Sequence, residues 1–119
     1  MKEEIFEFHG YTFTVYIGIN EKESLIEYGK RLERQLDEVY DALHGALVNI
    51  FDDYDNKLFK EKSISFEDYK VMVENIGEEA SNKFNDLRAT CAVDYENECA
   101  LSELEKANKD FKNYSEQDK

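Results

Sequence analysis

The fold depends most on LIEYGKRLERQLDEVYDALHGALVNIFDDYDNKLF, residues 25–59. Apolar side chains recur through it mostly three or four residues apart, at Leu25, Leu32, Leu36, Val39, Leu43, Leu47, Ile50, Tyr54 and Leu58. This spacing places them along one face of an α-helix. The chain contains no proline that would interrupt it. We therefore predict a long helix within residues 21–62, running from about residue 22 to about residue 59 and about 55 Å long.

Before this helix, the sequence alternates between apolar and polar residues, as β-strands with one buried face do. TFTVYIGI (residues 12–19) alternates throughout, and a shorter run, IFEFH (residues 5–9), precedes it beyond Gly10. One face of the longer run carries Phe13, Val15, Ile17 and Ile19. We predict a β-hairpin over residues 1–20. Because a lone hairpin is marginal in water, its apolar face should pack on the helices or on another chain.

After a short polar turn, a second helical pattern begins. Ser65 is placed to cap its start, with Asp68 at the position where a capping box has glutamate. The apolar stripe runs through Tyr69, Val73, Ile76, Ala80, Phe84, Leu87, Cys91 and Tyr95, and a second stripe, offset in phase, through Leu101, Leu104, Ala107, Phe111 and Tyr114. We predict a helix over residues 63–114, antiparallel to the first, and a frayed tail over residues 115–119.

The change of phase between the two stripes leaves the second helix open to two interpretations. It is either continuous or broken near residues 96–101, where Ser102 and Glu105 could cap a new start. In both cases the sequence predicts a single domain over residues 1–119. Its fold class is α+β, mostly α, with an N-terminal β-hairpin followed by two long antiparallel helices.

The acidic charge of the chain is its strongest compositional feature. It carries 28 acidic and 15 basic residues, for a formal net charge of −13. The excess is spread over the chain rather than gathered in a tail. Such a surface repels nucleic acid and membrane and attracts basic partners. Without an apolar signal core or a membrane-length apolar run, the chain is expected to be cytoplasmic. Cys91 and Cys99, about 12 Å apart on a helix, should stay unbridged.

The stretch that most resembles a metal site is FDDYDNKLFKEKSISFEDYK, residues 51–70, which ends like a calcium-binding EF-hand loop. When the ending is aligned, Lys57 and Phe59 replace the first two ligands, and Lys62 replaces the glycine. When the aspartates are aligned instead, Lys57 and Ile64 fall at ligand positions. Neither register supplies the ligands. We therefore predict an ordinary helix end, a turn and a capped helix start, with no metal or other cofactor.

Catalytic motifs are missing from the sequence as well. It contains no phosphate-binding glycine loop, no nucleophile elbow and no paired metal ligands, and its only histidines are His9 and His44. We therefore expect a protein that is not an enzyme.

Carboxylates fall into rows at helical spacing. Glu33, Asp37 and Asp41 follow one another four residues apart, and two further rows contain Glu67, Glu74 and Glu78, and Asp94, Glu98 and Glu105. Ion pairs within the helices are expected between Glu27 and Arg31, Arg34 and Glu38, and Glu79 and Lys83. A helical turn rises about 5.4 Å, close to the spacing of phosphates along a strand. The first row can therefore imitate phosphates in a basic groove, or it can be a solvated face that keeps the protein soluble.

In size and charge the chain looks like the small acidic proteins, anti-CRISPR proteins among them, that phages and mobile elements use against host nucleic-acid enzymes. The likeness extends to no motif and identifies no residue. It implies an inhibitor or regulator that acts as a DNA mimic on a basic, nucleic-acid-binding partner or nuclease, without binding nucleic acid itself. The residues predicted to bind this partner are Glu33, Asp37, Asp41, Asp52, Asp53 and Asp55.

The alternative function is that of a structural or adaptor protein that associates with itself. Its long apolar stripes are of the kind that a second copy can complete in a homodimer. In that case the hairpin and the helical stripe would form the interface, and the acidic residues would only solubilise the protein. The interface residues would then include Leu32, Leu36, Val39 and Leu43.

Overall fold

The computed structural model describes residues 1–117, with side chains as far as residue 108. Its elements, in chain order, are strand β1 (Lys2–Phe8), strand β2 (Tyr11–Ile17), helix α1 (Leu25–Asp55), a π-helical turn (Asn56–Lys60) and helix α2 (Phe66–Gln117). The predicted hairpin followed by two long helices is confirmed. Of the predicted tail, Asp118 and Lys119 lie outside the described residues, as do the side chains of Phe111 and Tyr114.

A two-residue turn, His9-Gly10, joins the strands and sets their register. Both turn residues have positive φ, 47° and 85°, as the favoured hairpin turns require. The antiparallel register therefore pairs Phe8 with Tyr11 and Lys2 with Ile17. The His9 Nε2 atom lies 3.0 Å from Glu79 Oε2, so the tip of the hairpin is held against α2.

Serine side chains cap the start of each helix. Ser24 Oγ accepts a hydrogen bond from the Glu27 N–H at 3.1 Å. Ser65 Oγ accepts one from the Asp68 N–H at 3.1 Å, which confirms the predicted cap of α2. Between the helices, Lys62 has a φ of 52°, and the Ser63 N–H bonds Lys57 O at 2.9 Å. This left-handed residue ends the first helical segment and reverses the chain.

The core lies where the apolar face of the hairpin covers the two helices. It contains Phe8, Phe13, Val15, Ile17, Tyr28, Leu32, Val39, Leu43, Ala46, Ile76, Ala80, Leu87 and Cys91. The predicted faces of β2 and of both helices are therefore the buried ones. The apolar stripe of α1 is buried against other parts of the same chain, since Leu32 and Leu43 are each only 4% exposed.

Helix α2 continues without interruption through residues 96–101, so the break that the phase change left open is absent. The change of phase has another physical cause. Near Leu101 the helix passes Ile19 and Leu25, beyond which neither α1 nor the hairpin continues alongside it. Residues 100–108 are all exposed, and no core constrains their apolar phase. The helix, about 78 Å long, accounts for most of the 85 Å length of the molecule.

The prediction of three ion pairs within the helices was wrong: none of them forms in the part of the chain that the structure describes. Arg31 Nε pairs with Glu23 Oε2 at 2.8 Å, and Lys83 Nζ donates to Glu7 O at 2.8 Å. Spacing along a helix predicts only neighbours on that helix, whereas the hairpin and the segment before α1 supply closer partners. The pairs not found are Glu27–Arg31, Arg34–Glu38 and Glu79–Lys83.

Candidate protein-interaction surface

Three carboxylates line up along the solvent-exposed surface of α1. Glu33, Asp37 and Asp41 are all exposed, and each is four residues, or about 6 Å of helix rise, from the next. We call these three residues the acidic row. Within the described residues, none of them forms a salt bridge or a side-chain hydrogen bond. The row therefore presents negative charge without a direct ion-pair partner among the described residues, on a rigid element.

Asp52 extends the same face of α1 towards the other end of the molecule. It is exposed and lies eleven residues beyond Asp41, which is about three helical turns and 16 Å. His44 and Val48, both exposed, occupy the intervening surface. From Glu33 to Asp52, the face is about 28 Å long.

The other two predicted partner ligands, Asp53 and Asp55, have contacts within the chain. Asp53 Oδ2 lies 3.2 Å from Lys57 Nζ. Asp55 Oδ1 accepts a hydrogen bond from Tyr69 OH at 2.5 Å, which ties the end of α1 to the start of α2. That bond raises the pKa of the Tyr69 phenol. The structure thus separates these two residues from the acidic row, and their role in partner binding stays a prediction.

One of the cations near the acidic row is fully engaged elsewhere. The Arg31 guanidinium donates to Tyr16 O at 2.9 Å, to Gly18 O at 2.8 Å and to both carboxylate oxygens of Glu23. The bonds from Arg31 to Glu23 hold the pKa of the Glu23 carboxyl below its usual value. Because Arg31 serves the junction between the hairpin and α1, it does not neutralise the row.

A partly buried polar contact that the sequence did not reveal joins both helices to the end of the hairpin. The hydroxyl of Tyr28, a residue with 0% exposure, donates to Asp94 Oδ2. The Gly18 N–H lies 2.7 Å from Tyr28 OH and 3.1 Å from Asp94 Oδ2. The interpretation of Asp94 as part of an exposed acidic row was therefore wrong. Its position three residues after Cys91, in phase with the buried stripe, was the available signal.

Burial raises the pKa of the Tyr28 phenol above its usual value near 10, and the hydrogen bond to Asp94 raises it further. The unfolded chain then ionises this tyrosine near pH 10, whereas the folded chain keeps it neutral. Ionisation therefore favours unfolding above about pH 10 and has no effect below it. We expect the urea midpoint to fall more between pH 9 and pH 11 in the wild type than in Tyr28→Phe. Equal falls would contradict this assignment, since the other tyrosines are common to both proteins.

The described residues contain no group of three or more histidine, cysteine, aspartate or glutamate side chains arranged to hold a metal ion. Cys91 is 2% exposed, and burial raises the pKa of its thiol, which suits a packed side chain rather than a nucleophile. Neither helix has, over its described residues, an apolar stretch of the length needed to cross a membrane. The chemistry that the described surface does present is that of exposed carboxylates.

Comparison of the chain with protein-family models, with curated proteins and with solved structures found no match.

Proposed function

We propose that this chain is a non-enzymatic binding protein that inhibits or regulates a basic, nucleic-acid-binding protein partner. The acidic row of α1 would occupy the groove in which that partner holds phosphates. The observation that carries the proposal is the exposure of Glu33, Asp37 and Asp41 without an ion-pair partner among the described residues. An anti-defence role against a host nuclease, of the anti-CRISPR type, is the corresponding biological setting.

Physical considerations support this use of the row. Like charges four residues apart destabilise an isolated helix by a few tenths of a kcal/mol. Here the helix is held by its buried face, and the repulsion is relieved when a cationic surface binds. Because core packing already fixes the backbone of α1, the helix loses little conformational entropy on binding. The carboxylates are therefore pre-organised for a partner.

The net charge of −13 acts in the same direction over a longer range. It should accelerate encounter with a cationic groove and exclude nucleic acid from the same surface. Because the contacts replace phosphate contacts, binding should weaken as salt rises and screening increases.

The test is affinity capture from a nuclease-treated bacterial lysate on the immobilised protein, with elution by a salt gradient, followed by competition. We expect a basic nucleic-acid-binding protein to elute at moderate salt. Adding the acidic protein should then displace a fluorescently labelled duplex from that purified partner, as measured by anisotropy. A captured partner that binds duplex and acidic protein simultaneously would contradict mimicry.

A second candidate function is self-association as a structural or adaptor protein. Of the four α1 residues first expected to mediate it, the chain's own core buries Leu32, Val39 and Leu43 and partly buries Leu36. Self-association is still supported by the exposure of Leu101 and Leu104, at 54% and 59%, on the part of α2 that extends past α1. Sedimentation as a dimer whose stability is unchanged or increased at high salt, with no basic partner captured, would favour it.

A further inference from the structure

The two edges of the hairpin differ in their main-chain hydrogen bonding. Because Phe8 and Tyr11 flank a two-residue turn, they form a hydrogen-bonded pair, and such pairs alternate along an antiparallel ladder. The main-chain groups of Glu3, Ile5 and Glu7 therefore point away from β2. The bond from Lys83 Nζ to Glu7 O, at 2.8 Å, agrees with this direction.

Side chains of α1 bond the outer edge of β2 at Tyr16. Gln35 Oε1 accepts from the Tyr16 N–H at 2.9 Å, and Gln35 Nε2 donates to Tyr16 O at 3.1 Å. The same carbonyl accepts from Arg31 at 2.9 Å. The amide of Gln35 thus bonds the edge as a neighbouring strand would, and it blocks strand addition there.

The outer edge of β1 is open at Glu3 and Ile5, which we call the β1 edge. Their N–H and C=O groups have no hydrogen-bond partner among the described residues, and both side chains are exposed. Beside them a groove of about 260 Å³ runs between β1 and α2. Its α2 wall consists of Lys83, Asp86, Leu87 and Thr90. The edge therefore offers both main-chain partners and lateral space.

The charges on β1 determine which strand fits this edge. Glu3 and Glu7 flank Ile5 on the exposed face of the hairpin. A second copy pairing antiparallel about Ile5 would place Glu3 opposite the Glu7 of its neighbour, an arrangement of like charges that disfavours pairing. A strand with a basic residue opposite each glutamate and an apolar residue opposite Ile5 is complementary instead.

We propose that the β1 edge binds an extended segment of a protein partner by strand addition, with lysine or arginine opposite Glu3 and Glu7. Main-chain hydrogen bonds to Glu3 and Ile5 hold the segment, and the alternating basic side chains select it. This inference rests on the proposed function only in assigning the segment to the same basic partner. It adds a second contact surface, on the hairpin, to the acidic row on α1.

The probe is the heptapeptide Thr-Lys-Thr-Val-Thr-Lys-Thr, titrated into isotope-labelled protein and followed by amide NMR. We expect the amide signals of Glu3 and Ile5 to shift and their hydrogen exchange to slow. A twin peptide that is N-methylated at both lysines and at valine keeps its charge but cannot donate to the edge. It should bind about tenfold more weakly, the loss expected for about two hydrogen bonds.

Two variants test the same point from the side of the protein. Ile5→Pro removes one outward N–H and no bond to β2, so it should weaken peptide binding about threefold. If Ile5→Pro disturbs the β2 amide signals, the double variant Glu3→Lys/Glu7→Lys, which keeps the main chain, should lose binding instead. Equal binding of both peptides, or shifts confined to α1, would overturn the inference.

The outcome is separable from that of the proposed function. Variants of the acidic row should bind the heptapeptide as the wild type does. If the peptide binds the β1 edge but the captured partner keeps its duplex, the proposed mimicry alone fails. If the duplex is displaced but the peptide does not bind, strand addition alone fails.

Discussion

Replacing Glu33, Asp37 and Asp41 together by lysine should weaken binding to the basic partner about 100-fold. Each reversal removes a contact worth about 1 kcal/mol and adds repulsion, so three give a loss of at least two orders of magnitude. All three positions are exposed, and lysine is a good helix former, so α1 itself should be unaffected. Far-UV circular dichroism should be unchanged, and isothermal titration at fixed salt measures the binding.

The matched control reverses three exposed carboxylates on α2, by replacing Glu74, Glu78 and Glu96 with lysine. It changes the net charge by the same amount but leaves the acidic row intact. We expect it to lower the association rate through weaker steering and to change the dissociation rate little. If the control loses as much affinity as the row variant, net charge rather than the row would be responsible for binding.

The salt dependence of the two variants adds an independent readout. The wild type should lose affinity as salt rises, and the row variant should show a much flatter dependence because its direct ionic contacts are gone. The control should keep most of the wild-type slope. A row variant with the wild-type slope would place the ionic contacts elsewhere on the molecule.

The fold was predictable because local signals and tertiary packing agree. The alternation in β2 and the three-to-four spacing in α1 each identified the face that is buried, and Ser65 caps α2 as its spacing indicated. The exact ends of the elements shifted by a few residues. The phase change near Leu101 suggested a break because periodicity reports what a helix packs against, and there α2 leaves its partners.

The candidate site was only partly predictable. Exposure of the acidic row follows from its position opposite the apolar stripe of α1. By contrast, the contact of Asp55 with Tyr69 joins two different elements, and no spacing rule on one helix anticipates it. The bonds of Gln35 to the β2 edge depend in the same way on how the hairpin lies across α1. Sequence periodicity locates faces, whereas the partners across them require the packed structure.

Asp94→Ala should lower the free energy of unfolding by about 1–3 kcal/mol, the cost of leaving a buried hydrogen-bonding group without its partner. The hydroxyl of Tyr28, a residue with 0% exposure, would lose its acceptor, and the Gly18 N–H would lose one of its two acceptors. This contact joins α1, α2 and the end of β2, so its loss should destabilise the packing of all three elements. Urea unfolding near pH 7, followed by circular dichroism, measures the change.

A double-mutant cycle with Tyr28→Phe separates the contact from the burial of each residue. Because Tyr28→Phe removes the stranded hydroxyl, adding it to Asp94→Ala should cost less than adding it to the wild type. Asp86→Ala, at an exposed carboxylate two turns earlier on α2, is the control and should change stability by about 0.5 kcal/mol or less. Additive single variants, or a control as damaging as Asp94→Ala, would show that the buried contact does not join these elements energetically.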